Sequence, residues 1–180
     1  MKKVNTTLKD GAVVIGDQFD SDDFAQFKII FQGWMNLNKL LQSLGGRSLN
    51  VPDVISEGLY CYLFNAIRTN GTAHSYDAVD LVTHEGIQVK STSIGSDLTS
   101  FGPTSTWDVL IFIDFAPTGL VDGRVDIYRI DTHPGDIVLN SKKGETFIDQ
   151  QKQGRRPRLS IKSQIINPQG LKPIKTIQLI

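Results

Sequence analysis

The chain has 180 residues, carries no net charge at pH 7, and is 39% hydrophobic and 21% charged. This length and composition predict one globular domain with one substantial core, and they exclude a disordered or fibrous protein. The longest apolar run, residues 109–113, is too short to span a bilayer, so we expect no membrane partner. The single cysteine, Cys61, excludes an internal disulfide and favours a cytoplasmic protein.

Charge is distributed unevenly along the chain. Residues 1–140 hold 10 Lys and Arg against 17 Asp and Glu, whereas residues 141–180 hold 9 against 2. A basic C-terminal segment on an acidic body predicts a surface that binds a polyanion. A solvated basic face without a ligand fits the same charges.

Two helices are predicted in the first part of the chain. Ser21-Asp22-Asp23 is typical of a helix start, and apolar residues then recur at spacings of three and four until Gly45-Gly46. This helix is either a core element or a dimer face. A second helix is predicted from Pro52 to about Ile67, and a turn over residues 69–72.

Strands dominate the middle of the chain. We predict a hairpin of residues 77–82 and 87–93, a polar loop over 94–106, a strand over 107–113 buried on both faces, and a strand over 125–131. A short helix is predicted over 145–153, while 159–166 is ambiguous. The order predicts one α/β domain with a mixed central sheet flanked by helices. Its parts are a helical N-terminal region (20–68), a hairpin (75–93) and a basic segment (141–180).

The hairpin brings chemically reactive side chains to one face. Alternation along the second strand places Gln88 and Lys90 on one face and Ile87 and Val89 on the other. An even-numbered hairpin loop pairs residues whose numbers sum to an odd value, which puts Asp77 on the face of Gln88 and Lys90. An odd-numbered loop would place Asp80 there instead, so Asp80 is the reserve candidate. A plain surface lysine is the alternative for Lys90.

These residue types suit phosphodiester hydrolysis. Mg²⁺ prefers oxygen ligands, which a carboxylate and an amide carbonyl supply. The ion neutralises the phosphate and lowers the pKa of water, and a neighbouring lysine stabilises the charge that develops on the phosphoryl group. The set of Asp77, Gln88 and Lys90 therefore predicts a metal-dependent nuclease, with Mg²⁺ as cofactor and Mn²⁺ as a substitute.

Asp77-Ala78-Val79-Asp80 followed by Gln88-Val89-Lys90-Ser91 resembles the signature of the PD-(D/E)XK nucleases. The resemblance is closest to the small PvuII-like homodimeric type II restriction endonucleases and covers about 20 residues closely. It implies a restriction-endonuclease-like core and a metal-binding first aspartate, which favours Asp77 over Asp80. Gln88 stands where the family usually has an acid, so this chain is a QxK variant.

The missing charge at Gln88 indicates that another carboxylate takes part. Glu57 is the best candidate because it lies on the second predicted helix with Gly58 and Cys61 near its face, small enough to let a sheet approach. An acid on the helix before the hairpin is a recurring accessory ligand in the superfamily. We therefore predict Glu57 as a further catalytic residue and metal ligand. The alternative is an exposed helix glutamate.

Residues for contacting DNA are predicted in two places. Arg155, Arg156 and Arg158 surround Pro157, and arginine binds phosphate or grips guanine with two hydrogen bonds. Ser91, Thr92 and Ser93 end the catalytic strand and offer hydroxyl donors. A solvated turn is the alternative for the arginine segment.

The predicted function is a type II restriction endonuclease that cuts double-stranded DNA at a short palindromic sequence. Two cuts at a palindrome need two copies related by a twofold axis, so we expect a homodimer. A structure-specific repair or recombination nuclease of the same superfamily is one alternative. A catalytically decayed DNA-binding protein is another, which Gln88 keeps open.

Overall fold

An eight-stranded mixed β-sheet forms the centre of the structure, a computed structural model that describes residues 1–69 and 75–180. β5 and β7 run parallel, and the other neighbouring strands are antiparallel. In spatial order the strands are β1 (Lys2–Thr7), β2 (Val13–Gln18), β3 (Ala66–Thr69), β4 (Ala78–Asp80), β5 (Gly86–Thr92), β7 (Val109–Asp114), β8 (Arg124–Ile130) and β12 (Lys175–Gln178).

Helices cover the sheet, and two short strand pairs form separate two-stranded sheets. The helices are α1 (Ser21–Ser43), α2 (Asp53–Leu63), α3 (Phe147–Lys152) and α4 (Asn167–Gln169), the last preceded by a π-helical turn, Lys162–Ile166. The pairs are β6 (Thr99–Ser100) with β11 (Arg158–Leu159) and β9 (Val138–Asn140) with β10 (Glu145–Thr146). The predicted α/β domain with a mixed sheet is confirmed. Among the described residues, no helix combines the length and apolarity that crossing a bilayer requires.

Helix α1 confirms the predicted first helix, with one change at its start. Asp20 caps the helix by accepting from the N–H groups of Asp22 and Asp23, and the Asp23 carboxylate accepts from the Asp20 N–H. The cap is therefore Asp20 and not Ser21. Phe31 and Trp34 lie on the buried face of α1, which packs on α2 and the sheet.

The predicted extent of the second helix was wrong. Helix α2 ends at Leu63, and Asn65 adopts a left-handed conformation with φ 51° that turns the chain back. Ala66–Thr69 then pairs with β4 because the sheet satisfies its backbone groups, so the region 20–68 is not wholly helical. Thr69 ends β3, and the rest of the predicted turn lies outside the described residues.

Strand β7 is buried along its whole length, as predicted. Its Ile111 and Ile113 face a core formed with α1 and α2, whereas Leu110 and Phe112 face a second core containing Phe101, Trp107 and Phe147. Both faces of the sheet are thus covered. Strand β5 follows the same alternation, with Ile87 and Val89 in the helical core.

The C-terminal part folds back over the second core. The predicted 94–106 loop contains β6, which pairs with β11, and the predicted 145–153 helix begins two residues later, with Thr146 as its cap. The ambiguous 159–166 stretch is strand β11 followed by the π-helical turn, whose first N–H groups, those of Ile161 and Lys162, bond to the Asp97 carboxylate. This bond and the β6–β11 pairing hold the arginine segment beside the loop.

Candidate active site

Asp77 lies just before β4 and is held against the neighbouring strand. Its N–H donates to the carbonyl of Ile87 at 2.9 Å, and its Oδ2 accepts from the N–H of Val89 at 2.8 Å and from the amide of Gln88. Ala78 pairs with Ile87 and Val79 with Gly86, so the pairing numbers sum to an odd value, as predicted for an even loop. Asp77 therefore shares the face of Gln88 and Lys90.

Lys90 stands two residues beyond Gln88 on β5, with its side chain partly exposed. Its ammonium nitrogen lies over the ring of Phe101, 5.4 Å from the centroid. The charge of Lys90 is close enough to lower the pKa of Asp77, against the effect of burial on that carboxyl. The predicted juxtaposition of Asp77 and Lys90 is thus present.

Glu57 lies on α2 with its side chain mostly buried, and its carboxylate accepts from Arg68 Nε at 2.5 Å. The interpretation of its neighbours was wrong. A Cβ on Gly58 would meet the ring of Phe27 at 2.5 Å, so this glycine lets α1, not the sheet, approach α2. Arg68 belongs to β3 and was not predicted, because nothing in the sequence ties a mid-strand arginine to a helix glutamate.

A cavity of about 670 Å³ joins these residues. Glu57, Asp77 and Lys90 line it together with Ser91, Thr92, Ser93 and Arg156. Asp53 also lines the cavity and was missed by the sequence analysis. The available signal was its position four residues before Glu57, which puts both carboxylates on one side of α2.

Asp77 and Glu57 are harder to ionise in this cavity than the same groups in water. Burial raises the pKa of Asp77 above its ordinary value, and the opposing contributions of Lys90, Val89 and Gln88 do not cancel that effect. Burial also raises the pKa of Glu57, which Arg68 lowers and the charges of Asp77 and Asp53 raise further. Concentrated negative charge in a desolvated cleft favours a bound cation.

Gln88 is placed differently from its prediction. Its side chain is 3% exposed, it does not line the cavity, and its amide nitrogen donates to Asp77. The alternation along the strand predicts instead that the carbonyl oxygen of Gln88 faces the cleft. Both faces of strand β5 are covered. Gln88 is therefore buried, although alternation alone would place it on a solvent-exposed face.

The predicted DNA-contacting arginines separate in the structure. Arg156 lines the cavity, with Nε 3.4 Å from Ser100 Oγ. Arg155 pairs with Glu145 at 2.7 Å outside it, and Arg158 is exposed on β11. Of the three arginines, only Arg156 therefore lines the cavity that contains Asp77 and Lys90. Pro157, which lies between Arg156 and Arg158, is buried.

The reserve candidate Asp80 lies away from this cavity. Its Oδ1 accepts from the N–H groups of Val82 and Thr83 at 2.7 and 2.8 Å, which closes the hairpin turn. Because the loop has an even number of residues, Asp80 lies outside the cavity and stabilises the hairpin turn. Asp77 is the hairpin carboxylate of the cavity.

The donor set suits a weakly enclosed divalent cation. Within the described part of the chain, no three His, Cys, Asp or Glu side chains cluster tightly enough to form a metal cage. Of the four carboxylates that line the cavity, Asp97 accepts from backbone N–H groups, which leaves Asp53, Glu57 and Asp77 to contact an ion, with the amide of Gln88 behind Asp77. Mg²⁺ commonly keeps several waters and uses one or two carboxylates with substrate phosphates, so this set fits Mg²⁺.

The chain is similar to known proteins over most of its length. The family model for the Bsp6I restriction endonuclease matches residues 19–168, which include every residue of the cavity. The type II restriction enzyme Bsp6I of Bacillus sp. (strain RFL6) is 33% identical over 148 residues, which cover 81% of this chain and 82% of that enzyme. No solved structure matches significantly.

The raised pKa of Asp77 has a consequence for stability. A carboxyl whose folded pKa exceeds its unfolded value of about 3.9 destabilises the fold as pH rises through that interval. Asp77→Asn keeps an acceptor for Val89 and removes the charge. In EDTA at pH 8 we expect it to have a higher melting temperature than the wild type by calorimetry, and we expect this difference to disappear as the pH falls below the unfolded pKa of about 3.9.

Asp80→Asn is the matched control, because it also removes a hairpin carboxylate charge but lies outside the cavity. It is expected to lack the stability gain. A lower melting temperature for Asp77→Asn than for the wild type at pH 8 would contradict the electrostatic description of the cavity.

Proposed function

The chain belongs to the Bsp6I restriction endonuclease family, and we propose that it is a type II restriction endonuclease cutting double-stranded DNA at a short palindromic sequence with Mg²⁺. One observation carries the proposal. Asp77 and Lys90, which the sequence pattern selects as a nuclease pair, line one cavity in a chain of this family. We further propose that the site is a QxK variant of the PD-(D/E)XK type.

Asp77, Glu57 and Gln88 are the residues proposed to hold the ion. Both hydrogen bonds to Asp77 reach Oδ2, and no donor among the described residues meets Oδ1, which leaves that oxygen for a ligand. We propose that the Gln88 side chain turns from Asp77 towards the cavity when the ion binds, which would present the carbonyl oxygen that a cation requires. The bound ion supplies positive charge that neutralises phosphate and activates water, and Mn²⁺ is expected to substitute.

The protein's own side chains orient the reaction. Lys90 has three N–H donors on a flexible stem, and we propose that Nζ donates to a non-bridging oxygen of the scissile phosphate and stabilises its developing charge. The Val89 N–H fixes the Asp77 carboxylate, and Arg68 fixes that of Glu57. These bonds keep both carboxylates aligned before DNA arrives.

Arg156 is the residue best placed to contact DNA at the site. It is exposed, it lines the cavity, and its guanidinium lies near Ser100. Ser91, Thr92 and Ser93 line the same cavity and are proposed to donate to phosphates. Arg158 is exposed next to the cavity arginine, whereas Arg155 must leave Glu145 to reach DNA.

Cleavage of both strands is proposed to require a homodimer formed by α1. Opposite its buried face, α1 presents a second apolar stripe of Ile29, Ile30, Gly33, Leu37, Leu40 and Leu44, of which Leu40 is 63% exposed. The stripe extends roughly 22 Å along the helix and contains no charge, so two identical copies would meet without repulsion. A contiguous exposed apolar patch of this kind is typical of protein interfaces.

Plasmid cleavage tests the proposed activity. With Mg²⁺ we expect the wild type to give discrete fragments, and Asp77→Asn and Lys90→Ala to lose at least about 100-fold in rate, because each removes charge from the reaction centre. Asp80→Asn is the matched control and should cut normally, because Asp80 only closes the turn.

Each other outcome identifies an alternative. Cutting of branched DNA alone would favour a repair nuclease, and binding without cutting would favour a decayed DNA-binding protein. Normal cutting by Asp77→Asn would rule out the proposed site.

Arg156→Ala tests the DNA-reading role. Losing one bidentate contact of an arginine with a base lowers the discrimination against the wrong base by about 1–3 kcal/mol. We therefore expect a 5- to 150-fold weaker preference for the cognate sequence in competition binding. Arg155→Ala is the control from the same segment and should change the preference less, because Arg155 is paired outside the cavity. Equal effects of the two substitutions would oppose a reading role for Arg156.

Leu40→Lys tests the dimer. The added charge should prevent α1 faces from meeting, so we expect a monomer by sedimentation and plasmid nicking in place of linearisation. Val82→Lys changes a side chain that is 73% exposed on the hairpin turn and should leave the dimer intact. The proposed homodimer would be contradicted if the wild-type protein bound to its DNA sedimented as a monomer.

A further inference from the structure

The Lys90 ammonium packs over the aromatic ring of Phe101. The nitrogen lies over the ring face, 5.4 Å from its centroid, within the range of a cation–π contact. Among the described residues, no carboxylate lies within ion-pair distance of Lys90. The position of this flexible side chain therefore depends on an aromatic surface.

Phe101 is itself held in place from several sides. Its side chain is fully buried, and its ring contacts Trp107 and Phe147 with centroid distances of 5.1 and 5.3 Å. Trp107 is anchored by its ring N–H, which donates to the carbonyl of Thr132 at 3.0 Å. The second core thus clamps the ring and leaves Lys90 beside the cavity.

The backbone of Phe101 is bonded to the arginine segment. Its N–H donates to the carbonyl of Pro157 at 2.9 Å, directly after the β6–β11 pair in which Ser100 lies opposite Arg158. Gln151 of α3 donates to the carbonyls of Gly102 and Ser105, which fixes the chain on the other side of the ring. Contacts therefore hold both the side chain and the backbone of Phe101 in place.

We propose that Phe101 is a positioning residue that holds the Lys90 ammonium at the reaction centre. The inference rests on the proposed role of Lys90. A lysine loses side-chain entropy when it is fixed, and an ion pair that fixed it here would neutralise the charge that the phosphate needs. An aromatic face attracts the ammonium but leaves its three N–H donors available.

Fluorinated phenylalanine tests this role with only a small increase in ring size, and the same substitution at Phe147 controls for that change in packing. Replacing Phe101 with 3,4,5-trifluorophenylalanine keeps the ring but weakens its negative face. We expect the single-turnover cleavage rate to fall about 3- to 30-fold at saturating enzyme, with unchanged Kd for the same DNA duplex. Phe147 is the matched control, because it is equally buried in the same cluster but does not contact Lys90. The same substitution there should change the rate less than twofold.

The outcomes separate this inference from the proposed function. Equal effects at 101 and 147, or a changed Kd with an unchanged rate, would overturn positioning by Phe101. So would a further loss caused by fluorination at 101 in the Lys90→Ala background, because the ring would then act without the lysine. Normal cleavage by Lys90→Ala would overturn the catalytic role of Lys90 and this inference with it.

Discussion

Asp77 accepts hydrogen bonds from the backbone of Val89 and the amide of Gln88, and these contacts fix a carboxylate against the strand that carries Lys90. They depend on the register of β4 on β5. A slip by one residue would turn Asp77 to the opposite face and put Asp80 on the face of Gln88 and Lys90. The turn bonds of the Asp80 carboxylate stabilise the loop length that sets this register.

The same register gives the site its electrostatic character. A partly buried carboxylate beside Glu57, with Asp53 at the rim, resists ionisation, and burial is the largest cause. The fold therefore holds the two acids in a state that a cation would relieve. We propose that the same desolvation of Asp77 and Glu57 lowers the stability of the ion-free fold and favours the binding of a cation. Arg68 offsets part of the cost at Glu57.

The second core lies next to both Lys90, the proposed catalytic lysine, and Arg156, the proposed DNA-contacting residue. The C-terminal segment folds over the sheet face that carries Lys90, and Asp97 and the β6–β11 pair hold Arg156 at the cavity. The basic charge of this segment is partly used within the protein, because Lys162 pairs with buried Asp114 and Arg155 with Glu145. Charge counting alone therefore overstates the surface available to DNA.

The sequence predicted those features of the fold that depend on residues close together along the chain. The apolar spacing of α1, the burial of β7 and the parity of the hairpin follow from neighbours in sequence, and the structure confirms them. Long-range packing decided most of the rest. Strand β12 escaped prediction because it pairs with the distant β8, α2 ended early at Leu63, and Gln88 is buried because a second layer covers β5. The hairpin of β1 and β2 is local and also escaped prediction. The contact of Gly58 with Phe27 likewise involves a residue 31 positions away along the chain.

The central claim is that the cavity binds Mg²⁺ through Asp77, and titration calorimetry of the protein with Mg²⁺ tests it most directly. We predict that the wild type binds the ion, that Asp77→Asn loses binding, and that Gln88→Glu binds more tightly because it restores a charged ligand. Asp80→Asn should match the wild type. Equal Mg²⁺ affinity for Asp77→Asn and the wild type would contradict the account.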